Sequence, residues 1–106
     1  MRAKFTANID ILDYYIGGLV DRIVMKGYYD IDLDREYDHL MWYIYEKLVV
    51  ILFKGKEPTR EEFEEKMKKI RRRDADKLKV LISYLISKYM KMRNIQSTGK
   101  RSQDDF

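Results

Sequence analysis

The chain has no cysteine, one proline and one histidine among its 106 residues. The missing cysteine removes disulfides, thiolate metal sites and cysteine nucleophiles, and it suits a reducing, intracellular (cytoplasmic) setting. Long apolar runs are also missing. The longest, LMWYIYEKLVVILF from Leu40 to Phe53, is interrupted by Glu46 and Lys47 and falls short of the roughly 20 residues a membrane span requires. The first residues, MRAKFTANID, lack the apolar stretch and small-residue cleavage site of a secretory leader, so none is expected.

Charge and aromatic surface are what the chain does have. Charged residues make up 38%, hydrophobic residues 45% and aromatics 13%, with nine tyrosines. That is enough to form a single core without disulfides or metal. Residues 1–50 hold 6 Lys/Arg against 9 Asp/Glu, a net −3, while residues 51–106 hold 16 against 9, a net +7. An electrically polar molecule follows, and that bears on partners. The balance of charge and tyrosine is thermophile-like, and in style it is similar to small proteins encoded by viruses and plasmids of thermophiles; no motif carries that likeness.

Apolar residues at steps of three and four predict helices. Ile9, Leu12, Ile16, Leu19 or Val20, and Ile23 predict a first helix over about 7–26, capped by Thr6 or Asn8. Gly17-Gly18 in its middle implies close approach of another helix or a kink, and Gly27 ends it. Tyr29, Ile31 and Leu33 alternate with Asp30, Asp32 and Asp34, the period-two pattern of an extended connector over Tyr28–Leu33. A second helix, capped by Asp34, runs to about Lys54 and is apolar nearly all round. TREE at 59–62 is a capping box that opens a third helix over about 60–73. Asp74 would fall in the apolar seam of a continuous rod, which predicts a break before a fourth helix over about 76–93. In that helix Leu81, Tyr84 and Ile86 widen the apolar face of Leu78, Ile82, Leu85, Tyr89 and Met92. The expected fold is all-α, a small four-helix antiparallel bundle forming one domain over 1–96, with a flexible polar tail over 97–106.

The run YDIDLDREYDH at 29–39 looks most like chemistry. Asp30, Asp32 and Asp34 resemble the start of an EF-hand loop, but Arg35 and Met41 stand where that loop needs Gly and a bidentate Glu. Glu36 and His39 have the spacing of a di-iron bundle motif, which requires a second such pair, and this chain has no second histidine. Arg35 and His39 resemble the Arg-x4-6-His signature of HEPN ribonuclease bundles, with only three residues between them. No catalytic set, metal or cofactor is therefore expected, and no small-molecule substrate. The simpler reading is a fastened connector and a helix start where carboxylates suit the dipole. Asp30, Asp32, Asp34, Glu36 and Asp38 remain candidate contacts for a basic partner.

The second charged run is EEFEEKMKKIRRRDADKLK at 61–79. Lys66, Lys68, Lys69, Arg71, Arg72, Arg73, Lys77 and Lys79 are candidate contacts for nucleic acid or an acidic protein, aided by Lys88, Lys91 and Arg93. The competing reading is a solvated helix, with Glu62–Lys66, Glu64–Lys68 and Glu65–Lys69 as i,i+4 pairs. The two helices resemble a helix-turn-helix, but the second is mostly apolar, which argues against sequence-specific reading. Tyr14, Tyr15, Tyr28 and Trp42 exceed the needs of one small core and are the candidate apolar interface of a homodimer or partner groove. The expectation is a non-catalytic interaction protein, an adaptor or inhibitor that docks on a protein or nucleoprotein partner. The alternative is a DNA- or RNA-binding protein that contacts the phosphate backbone through 66–79.

Overall fold

A computed structural model describes the backbone of residues 2–105 and the side chains of 8–27 and 29–93. It contains four helices, α1 (Arg2–Ile23), α2 (Leu33–Phe53), α3 (Arg60–Arg73) and α4 (Ala75–Asp105), with a wide π-type turn, Val24–Tyr28, after α1. α4 runs on as helix to Asp105, past the expected end near 93 and through most of the stretch at 97–106 expected to be a flexible polar tail; the side chains of that stretch and of Tyr28 lie outside the described residues.

Each helix contributes an apolar stripe to one core. Leu12, Ile16 and Val20 of α1, Leu40, Ile44 and Leu48 of α2, Phe63 and Met67 of α3, and Ile82 and Ile86 of α4 are fully shielded from solvent. Burying a side chain of this size contributes roughly 1.5–3 kcal/mol, so this stripe pattern is the main term holding the bundle. The fold is an all-α four-helix bundle. α2 is antiparallel to α1, since Asn8 reaches Tyr45 while Asp13 reaches Tyr37. It is also antiparallel to α4, since Glu36 meets Arg93 while Tyr43 stacks edge-on with Tyr89. α3 joins through aromatics: Phe63 packs on Tyr45 at 5.3 Å and on Phe53 at 6.2 Å between ring centres.

The ends of the helices follow local chemistry. Gly27 takes φ +86° to stop the first helical segment, a conformation that costs an L side chain but not glycine. The capping box forms as expected: Glu62 N–H donates to Thr59 Oγ1 at 3.1 Å and Thr59 N–H to Glu62 Oε1 at 2.9 Å. Asp74 breaks the rod between α3 and α4 at φ −132° and ψ 48°.

Four expectations need correction. Asn8 is not a cap. It lies four residues before Leu12 on the buried stripe, and its amide donates to Tyr45 Oη at 2.7 Å and to the Pro58 carbonyl at 3.3 Å. The cap of α2 is Asp32, whose carboxylate accepts from Asp34 N–H at 3.1 Å. α2, apolar nearly all round, is not buried all round, because Val50 and Ile51 stay exposed. Tyr84, assigned to the core face of α4, is 54% exposed, because Leu78, Ile82, Leu85, Ile86 and Tyr89 already fill that face.

Candidate interaction surfaces

The acidic run keeps its alternation of exposure, but the extended connector is shorter than the expected Tyr28–Leu33, because Tyr28 ends the π-type turn and Leu33 opens α2. Asp30, Asp32 and Asp34 are exposed, while Tyr29, Ile31 and Leu33 are half-buried against the core. Not all of its carboxylates are available to a partner. Glu36 is held by Arg93 at 2.5 Å, by the Tyr89 hydroxyl at 3.0 Å and by Asp32 N–H at 3.3 Å. Burial raises its pKa, but these hydrogen bonds and the Arg93 charge outweigh that and leave it below the ordinary carboxylate value. Arg93 also donates to the Asp30 carbonyl at 2.7 Å. The connector is thus clasped to α4, and Arg93, expected to aid phosphate binding, is engaged elsewhere.

Sequence reading did not find the acidic surroundings of Tyr37. Its hydroxyl donates to Asp13, and its pKa is raised by burial first, then by that bond and by the charges of Asp13, Asp21 and Asp38. α1 therefore supplies the carboxylate that Tyr37 of α2 meets, Asp13. Gly17 makes room for this meeting, since a Cβ there would lie 2.9 Å from Tyr37 Oη and 2.6 Å from Asp13 Oδ1. The glycine pair was the available signal, though it does not say which helix approaches. His39 is exposed at the outer face of α2. Among the described residues no group of three or more His, Cys, Asp or Glu is placed to hold a metal ion.

The basic run divides. Lys66 lies over the Phe53 ring and Arg71 over the Tyr15 ring, each 6.0 Å from the ring centre, so both flank the apolar stripe. Lys66 and Lys69 also line an open hollow of about 680 Å³ shared with Glu62 and Glu65. Lys68, Lys69, Arg72, Arg73, Lys77 and Lys79 are exposed. Among the described residues none of these six is within ion-pairing distance of a carboxylate. The expected Glu64–Lys68 and Glu65–Lys69 pairs are therefore not closed.

Tyr14 is 76% exposed and meets Tyr15 edge-on at 5.0 Å, while Trp42 is half-buried and packs edge-on against Tyr45 at 6.3 Å. Among the described residues no helix is long and apolar enough to cross a membrane. Comparison with protein-family models, curated proteins and solved structures finds no match to this chain.

Proposed function

We propose that this chain is a non-catalytic interaction protein that docks on a protein or nucleoprotein partner in an intracellular setting. The observation that carries the reading is the separation of charge on one packed core. Asp13 meets Tyr37 at the α1–α2 side, where the charges of Asp21 and Asp38 also act on it, and six cations with no carboxylate in ion-pairing distance among the described residues line α3 and the start of α4. Surfaces of opposite sign steer encounter and fix orientation more than they add affinity. Affinity capture from the host cell, quantified for the wild type, for Asp21→Asn/Asp34→Asn/Asp38→Asn and for Lys68→Glu/Arg72→Glu/Arg73→Glu, tests it. A partner lost with one variant and retained with the other is the expected result. Identical captures from all three proteins would overturn electrostatic docking.

The same cations favour a second reading, direct contact with a nucleic-acid backbone through 66–79. Duplex binding that weakens steeply with salt and disappears in the Lys68/Arg72/Arg73 reversal is its expected signature. Arg71 is left out of that variant because it packs on Tyr15.

A further inference from the structure

We infer that the outer face of α4, with the adjoining edge of α2, is a stacking platform for single-stranded nucleic acid. This goes beyond the docking reading and, Lys77 apart, uses different residues from the 66–79 cations. Lys77, Val80, Tyr84 and Lys88 recur at steps of three, four and four, which aligns them on one side of the helix. That side is opposite the buried Leu78, Ile82, Leu85 and Ile86. Val80 is 68% and Tyr84 54% exposed, so an apolar group and an aromatic ring stand in solvent between lysines.

α2 extends the platform. Tyr43 packs edge-on against Tyr89 of α4 at 5.6 Å between ring centres. This packing sets the outer edge of α2 against α4. Tyr84 and Tyr43 each carry a lysine over the ring, Lys88 Nζ at 5.8 Å from Tyr84 and Lys47 Nζ at 5.3 Å from Tyr43. A ring with a cation beside it can stack on a base while the cation neutralises the adjoining phosphate.

Charge complementarity selects the occupant. The charged residues of the α4 stripe are Lys77 and Lys88, with Lys47 and the exposed Glu46 on the edge of α2, so a ligand that meets both the lysines and the exposed Tyr84 and Val80 must bring negative charge together with flat apolar faces. A single strand does both. A duplex hides its base faces, and its phosphates alone would leave Tyr84 and Val80 in water.

Fluorescence anisotropy on the full chain, with labelled oligothymidine, oligouridine, an abasic strand of equal length and a duplex, tests the platform. The expected result is binding of at least one base-bearing strand about tenfold tighter than the abasic strand, the size of one stacking contact. Tyr84→Ala should erase that advantage, and Tyr84→Phe should keep it. Equal binding of base-bearing and abasic strands, or an advantage unchanged in Tyr84→Ala, would overturn the platform. If duplex binding were then still lost in the Lys68/Arg72/Arg73 reversal, the backbone reading would stand without it.

Discussion

The connector clasp and the α3–α4 corner are both crowded with charge, yet their side chains are differently employed. In the first, Glu36 accepts three hydrogen bonds and Arg93 donates to two groups. In the second, Lys68, Arg72, Arg73, Lys77 and Lys79 face solvent without a carboxylate within ion-pairing distance among the described residues. The contrast reverses the first impression from the residues. The acidic run looked like chemistry and is partly architecture, while the basic run looked like a self-paired helix and leaves most of its cations without a carboxylate partner among the described residues. What a charged group already holds says more about its role than the density of charge around it.

Breaking the clasp should have the largest effect on stability. Glu36→Gln is expected to lower the unfolding free energy by about 1–2 kcal/mol in urea titrations, as for other hydrogen bonds to a partly buried charge. The same change should alter the acid limb of the stability curve. The folded pKa of Glu36 lies below its ordinary 4.5, so its contribution is complete above that value and lost as pH falls through the lowered one. Glu36→Gln should remove this part of the acid dependence. At the alkaline end the sign is opposite. Burial and the bond to Glu36 push Tyr89 up to about 12, so its contribution is present below the ordinary phenol value of 10.0 and lost as pH rises through the raised one. Tyr89→Phe should flatten that limb.

The glycine pair offers a finer test of the acidic side. Gly17→Ala would place a Cβ 2.6 Å from Asp13 Oδ1, and the expected outcome is a loss of about 0.5–1 kcal/mol despite better helix propensity. Gly18→Ala meets only Arg22 Nη1 at 3.6 Å, so it should gain up to about 1 kcal/mol. Thermal unfolding of the two variants side by side checks both signs. The smallest effect belongs to the basic corner, where Lys68→Glu/Arg72→Glu/Arg73→Glu should change stability by no more than about 0.5 kcal/mol. A larger loss there would mean that the cations are structural after all and would dissolve the contrast between the two regions.

The legible parts of the fold were those encoded within a few residues of themselves. The capping box at Thr59 and Glu62, the bounds of α3, the break at Asp74 and the period-two connector all came from neighbouring side chains. Asn8 was misread because its residue type suits a cap, whereas its partners Tyr45 and Pro58 lie 37 and 50 positions away. The clasp was unreadable for the same reason, and so was the meeting of Asp13 with Tyr37. Tyr84 failed differently: α4 has more apolar side chains than its buried face can take, and periodicity alone does not say which one stays outside.

The clasp also bears on the rates of folding and unfolding. Arg93 is separated from Glu36 by 57 positions and from the Asp30 carbonyl by 63, so the connector can be fastened only once the last helix docks. Closing so long a loop costs entropy before the ion pair returns any stabilisation, which places the contact late on the folding route. Interactions formed after the transition state leave the folding rate nearly untouched and act on the rate of escape from the native state. Glu36→Gln should therefore refold at close to the parent rate and unfold roughly tenfold faster, making the clasp a latch that sets the native lifetime.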